Sequence, residues 1–256
     1  MNIERHIYEI ETLGYTIVKN VFEESVMKDI REKLKITIEN DKIKFAQFEN
    51  KKDELVVDLT IHEPDYLKLM DNDIIHSILN PILGEDTILY SFTSTILKPN
   101  TIGGVQDIHV DANKFIPNYI SGIVMTIPLE DFTNENGATL YLPGSQNLAT
   151  FPSEEIFNSN SQSTERSVGD VLFFNPRVYH RAGFNKTNEI RYGITMYATR
   201  SFMKQRFDFP NMIPKENLKK LSERTIKFLG FKSKSPSSVE EYYTPINERI
   251  RKLLNS

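Results

Sequence analysis

Apolar residues recur along the first third of the chain with helical spacing. In "EESVMKDIREKLKITIEN" the residues Val26, Ile30, Leu34 and Ile38 fall four apart, which predicts a helix with one apolar face. A shorter helix is expected over Ile3–Leu13, stopped by Gly14 and followed by the strand-like run "YTIVK". The stretch "PDYLKLMDNDIIHSILNPIL" predicts a further helix, with Pro64 suited to its first turn. From about residue 86 to residue 200 the pattern changes. Short β-branched and aromatic runs ("TILYSFTSTILK", "YISGIVMTIPLE", "TLYLP", "DVLFFNP", "RYGITMYATR") alternate with the turns "NENG", "LPGS" and "SVGD", with no helix expected between them. That texture predicts an antiparallel sandwich or barrel. Helical spacing returns over Lys215–Leu229 and Val239–Leu254, joined by "KSKSPSS". The expected organisation is one domain over residues 1–256: a helical part to about 85, a β core over about 86–200, and a helical part over about 201–256.

Charge and composition narrow the partners. The 256 residues carry 31 basic and 35 acidic side chains, a net charge of −4, with no run of either sign. The most basic stretch, "NLKKLSERTIKFLGFKSKS", is interleaved with apolar residues and fits a solvated helix face. Neither nucleic acid nor an anionic membrane is favoured as a partner. No window approaches the apolar length of a membrane span, and the N-terminus is charged from its fourth residue, unlike a secretory signal. The absence of cysteine removes disulfides, thiolate catalysis and zinc-finger ligation. A cytoplasmic enzyme acting on a small molecule is expected. The C-terminal helices would either cover the mouth of its site or form a homodimer contact.

Candidate chemistry begins at "IHVDANKF". On an extended strand, residues two apart point the same way, so His109 and Asp111 can serve one ion. Two ligands do not make a site. Of the remaining histidines, His6, His62 and His76 sit in helical contexts and read as ordinary polar residues, whereas His180 follows "DVLFFNP" inside the β-rich region. Two histidines and one carboxylate, with other positions open, form the facial triad of non-haem Fe(II) oxygenases. The same donors could hold Zn²⁺ in a cupin-like hydrolase or isomerase, or persist in a non-catalytic jelly-roll binding protein.

Four motifs in order give a more specific signal: "HVD" (His109, Asp111), "IPLEDFTNENGATLYLPGS" (Ile127–Ser145), "VGDVLFFNPRVYH" (Val168–His180) and "GFNKTNEIR" (Gly183–Arg191). Together with the opening "LGYTIVKNVFEESVMKDIREKL", they resemble the phytanoyl-CoA dioxygenase family of Fe(II)/2-oxoglutarate oxygenases. The resemblance implies a mainly β fold, a double-stranded β-helix (jelly-roll) with helices packed outside. It implies Fe(II), 2-oxoglutarate and O₂ as cofactor and co-substrates, with release of succinate and CO₂. By resemblance, His109, Asp111 and His180 ligate iron, and Arg191 grips the distal carboxylate of 2-oxoglutarate, a task suited to a planar bidentate donor. Arg191 shares a strand face with Gly193, Thr195 and Tyr197. Thr126, Thr93 and Thr95 are expected to add co-substrate contacts. Gln106, Asn113, Lys114, Phe115, Tyr119 and Arg200 are expected near the substrate. A carboxylate at Asp111 argues for hydroxylation or a related C–H oxidation over halogenation. The chain departs from the family pattern at Gln146, where histidine is usual after "PGS", and at Ala182, where a serine usually helps hold the co-substrate.

Overall fold

The protein is described by a computed structural model covering residues 1–50, 55–102 and 104–255. Helix α1 (Ile3–Thr12) leads into β1 (Tyr15–Val18), then α2 (Glu24–Lys44), α3 (Pro64–Lys68) and α4 (Asp73–Leu83). The β-rich centre holds β2 (Ile88–Leu97), β3 (Gly122–Pro128), β4 (Leu140–Tyr141), α5 (Glu154–Asn160), β5 (Gln162–Ser163), β6 (Val171–Phe174), β7 (His180–Arg181) and β8 (Arg191–Thr199). Five helices close the chain: α6 (Phe209–Met212), α7 (Lys215–Leu218), α8 (Glu223–Phe228), α9 (Val239–Tyr243) and α10 (Ile246–Asn255). Among the described residues no helix is long and apolar enough to cross a membrane.

Two antiparallel sheets face each other, one in the order β1-β6-β3-β8-β2 and one in the order β5-β4-β7. The larger sheet is two-faced because side chains alternate along a strand. Ile123, Met125 and Ile127 of β3, Val171 and Phe173 of β6, and Ile194, Met196 and Ala198 of β8 join the main core with α2, α3, α4 and α8. The opposite face turns toward the small sheet, where Tyr15, Val124, Tyr141, Leu172, Phe174 and Val178 make a second, smaller cluster. The strand positions not filled by that cluster, Thr93, Thr95, Thr126, Arg191 and Thr195, border a cavity. The jelly-roll layout expected from the sequence is therefore present, with most of its apolar burial outside the barrel.

Several element boundaries differ from the sequence pattern. In α2 it is Met27, Ile30, Leu34 and Ile38 that are buried, while Val26 is 42% exposed. A strict spacing of four drifts by about 40° per step around a helix, so a straight buried stripe must include a step of three. The helix expected across Pro64–Leu83 is cut at Asn72, whose side chain accepts from the Ile74 and Ile75 amides and starts α4 afresh. Ser222 likewise caps α8 and separates it from α7, and Pro245 lies between α9 and α10. Helix α5, inserted between β4 and β5, was not expected. Its Ser153 cap lies in a polar stretch whose one buried apolar residue is Phe157. At the end of α1, Gly14 takes a φ of +87°, and a Cβ there would lie 2.2 Å from Val178, so only glycine fits.

Replacing Asn72 by Ala removes the α4 cap and also the bond from its Nδ2 to the Val21 carbonyl. The expected cost is about 1 kcal/mol, or a fall of roughly 2–4 °C in the thermal midpoint. A melt that matches the native protein would show the cap to be dispensable.

Candidate metal centre

His109 and His180 face each other across an isolated antiparallel bridge, each amide donating to the other's carbonyl at 3.0 Å. Their rings lie 4.3 Å apart between centroids. Two residues on, the amides of Asp111 and Ala112 both donate to the Pro176 carbonyl, at 2.8 and 3.0 Å, which fixes the carboxylate beside the rings. Each histidine Nε2 is then 3.9 Å from an Asp111 oxygen, and the three ligand atoms all lie within 4.8 Å of one another. The hydrogen bonds settle which ring nitrogens are free. His109 Nδ1 is 2.7 Å from the Asp107 carbonyl and His180 Nδ1 is 3.0 Å from the Val178 carbonyl. A carbonyl can only accept, so both Nδ1 atoms donate, and both Nε2 lone pairs turn toward the carboxylate. Burial holds His180 below its ordinary pKa, which keeps it unprotonated and able to ligate. Two imidazoles and one carboxylate are a donor set that fits a divalent transition metal.

The ring of His180 is wedged among aromatics. Tyr141 stacks on it at 5.1 Å with 9° between planes, and Phe174 meets it edge-on at 5.0 Å. The His180 side chain is only 8% exposed, while those of His109 and Asp111 are 36% and 30% exposed. One side of the cluster is thus sealed, and the other opens to solvent.

Arg191 lies at the start of β8, 2% exposed, on the wall of a cavity of about 350 Å³ that also holds all three candidate ligands. Its guanidinium stacks on Phe132 at 4.1 Å and donates through Nη1 to the Gly137 carbonyl. Gly193 permits that packing, since a Cβ there would lie 2.8 Å from the Phe132 ring. Burial, with the neighbouring Arg166 adding to it, pushes the Arg191 pKa down to about 9, so the group stays charged at neutral pH. Its Nε has no partner, and no carboxylate among the described residues pairs with it. The hydroxyls of Thr126 and Tyr141, both on the cavity wall, are also buried and unpartnered. A buried cation beside idle hydroxyls suits the carboxylate of a ligand.

Other expected site residues separate into two groups. Thr93 and Thr95 do line the cavity, but Thr95 Oγ1 already shares a 2.6 Å hydrogen bond with Thr195 Oγ1. Arg200, expected near the substrate, is engaged off the cavity wall: it donates to the carbonyls of Ile82, Leu83 and Ile120 and stacks on Tyr119. Gln106 donates at 3.4 Å to the Gly183 carbonyl, Phe115 lies under the Arg177 guanidinium, and Asn113 and Lys114 are exposed beside them. None of these borders the cavity. Gln146 donates to the carbonyls of Glu11 and Thr12, so it serves the end of α1. Ala182 lines the cavity and presents a methyl group to it. His6, His62 and His76 lie apart, bonded to Thr16, beside Asp41, and bonded to the Met70 carbonyl.

Sequence reasoning passed over Arg177. This buried guanidinium donates to the carbonyls of Ala112, Asn113 and Leu148, tying the segment after Asp111 to the loop after β4. The residue stands in the quoted "FNPRVYH", but nothing in its spacing shows that it turns inward.

The model of the family described as phytanoyl-CoA dioxygenase matches residues 10–193. The uncharacterized protein Rv1501 of Mycobacterium tuberculosis is 25% identical over 253 residues, spanning 94% of this chain and 91% of that protein. The dioxygenase sphC of Aspergillus fumigatus is 30% identical over 203 residues, spanning 75% of this chain and 55% of that protein. In structure, HygX of Streptomyces hygroscopicus, solved with nickel and 2-oxoglutarate bound, shares the fold with a TM-score of 0.61 at 15% identity, covering 78% of this chain and 88% of its own.

Two substitutions test the centre. Asp111→Ala should lower divalent-metal affinity sharply without unfolding the protein, because the backbone bridge and its partners remain. Arg177→Met should weaken metal binding by roughly 10–100-fold, the usual cost of losing a support behind a ligand. Calorimetric titration with Co²⁺ reads both, and native affinity in either variant would remove that residue from the centre.

Proposed function

The chain belongs to the phytanoyl-CoA dioxygenase family, and on that premise we propose that it hydroxylates a C–H bond of a small-molecule metabolite as an Fe(II)- and 2-oxoglutarate-dependent oxygenase. The observation that carries the reading is the pairing, in one cavity, of the His109–Asp111–His180 cluster with a buried, carboxylate-free Arg191. A Zn²⁺ hydrolase or isomerase would explain the cluster but has no use for the arginine. A mere binding protein has no need of two histidines whose Nε2 lone pairs converge on a carboxylate.

In this reading His109, Asp111 and His180 hold Fe(II). When bound, iron and 2-oxoglutarate supply the oxidising power: O₂ converts the co-substrate to succinate and CO₂, and the second oxygen atom enters the substrate's C–H bond. The chain's own groups position and shield. Arg191 binds the distal carboxylate through a charge-assisted contact, and the free hydroxyls of Thr126 and Tyr141 donate or accept beside it. The stack of Tyr141 and Phe174 on His180 keeps water from the sealed side. Substrate approaches from the partly exposed side of His109 and Asp111, where the exposed Val105 also lines the cavity.

Removing one partner of a buried, charge-assisted contact typically costs roughly 2–5 kcal/mol. Arg191→Gln should therefore raise the 2-oxoglutarate requirement roughly thirty-fold or more, with the iron requirement nearly unchanged. Arg191→Lys should recover part of the loss, as a point charge without the planar fork. The readout is anaerobic titration of the visible Fe(II)–2-oxoglutarate charge-transfer band at fixed iron. Equal titrations for all three proteins would leave Arg191 a structural residue. A succinate-release assay across metabolite classes then tests the hydroxylase reading.

A further inference from the structure

Resting on the 2-oxoglutarate reading above, we propose that Arg166 is a second cation of the co-substrate pocket, so that the distal carboxylate is held in the field of two guanidiniums. Arg166 lies just before the "SVGD" turn and is 4% exposed. Its backbone pairs with Phe132, each amide donating to the other's carbonyl. Its guanidinium carbon lies 5.1 Å from the centre of the Phe132 ring, the same ring that carries Arg191 at 4.1 Å. Only Nη1 has a partner, the Thr164 hydroxyl at 3.0 Å, while Nε and Nη2 are buried with none.

Two buried like charges beside one phenyl ring demand a counter-charge, and among the described residues no carboxylate forms an ion pair with either arginine. Asp170 feels Arg166, but its two oxygens accept from the amides of Asn20 and Ser167. Glu130 feels Arg191, but one oxygen accepts from the Tyr192 amide and the carboxylate pairs with Arg31. Burial pushes Arg166 down to about 10, which still leaves it charged at neutral pH. An unpaired charge in such surroundings is costly.

The cavity reaches this pair through Arg191 and Tyr141, which line it, and the buried Tyr141 hydroxyl is unpartnered and lies in the field of both arginines. Arg166 itself is off the cavity wall. It acts through the low-dielectric layer formed by Phe132 and Tyr141, where a charge is little screened. Its role is to position and favour a carboxylate rather than to touch the reacting atoms.

The experiment compares two ligands that chelate iron alike and differ only at the tail: 2-oxoglutarate and 2-oxopentanoate, whose fifth carbon is a methyl group. Charge-transfer titrations give the preference of each protein for the charged tail. Arg166→Met and Arg166→Gln should lose about tenfold or more of that preference, with 2-oxopentanoate binding unchanged, while Arg166→Lys should keep most of it. In the absence of co-substrate, Arg166→Met should melt no lower than the native protein, since it deletes a buried charge that has no ion-pair partner among the described residues. The proposal is overturned if the native preference survives in the Met and Gln variants, if both ligands weaken together, or if the Lys variant behaves as Met. A native protein that shows no band with 2-oxoglutarate removes the underlying reading and this one with it. A normal native band with unaltered variants removes this one alone.

Discussion

Two hydrogen bonds between the backbones of His109 and His180 decide whether this protein has a site at all. The bridge brings together two segments far apart in sequence and sets their register so that both rings face the same way. A slip of one residue would turn one ring away, because successive side chains point to opposite sides. The carbonyls of Asp107 and Val178, each two residues before a histidine, then choose the tautomer. Ring position and ring chemistry thus come from the same stretch of extended backbone. Asp111 is placed by the next contact along, with Pro176, and Arg177 reinforces it from behind.

A second constraint follows from where the apolar burial lies. The large sheet spends its outer face on the helices, which leaves the inner face free to carry polar groups that a closed core would not accept. There the Thr126 hydroxyl and the Arg191 Nε are desolvated without a hydrogen-bond partner, as is the Tyr141 hydroxyl facing them from the small sheet. Such groups are a few per fold in native proteins, and their gathering in one cavity marks a place that a ligand completes.

Much of this was legible in the chain. The β-rich middle showed in its runs and turns, and the four ordered motifs carried both the family and the three residues that converge. What failed had local physical causes. Val26 fitted a spacing of four but lost the core to Met27, because the true helical period is shorter. Pro64–Leu83 read as one helix because Asn72 looks like any polar residue until its side chain caps the following turn. Arg200 looked like a ligand-binding cation, yet its fork is satisfied by backbone carbonyls at the end of α4. Arg166 stands among polar neighbours and Arg177 between a proline and a valine, and the inward turn of a long side chain leaves no trace in composition or period.

Strand β8 joins these layers. Arg191, its first residue, faces the cavity, and Arg200, directly after its last, clasps the carbonyls of Ile82 and Leu83 in the helical layer. Along its length the strand pairs with both β2 and β3. Helices and barrel therefore share one backbone rail and one core, and neither keeps its contacts if the other opens. The protein should lose its cavity and its outer helices in a single cooperative event, not by shedding an ornamental shell from a self-sufficient barrel.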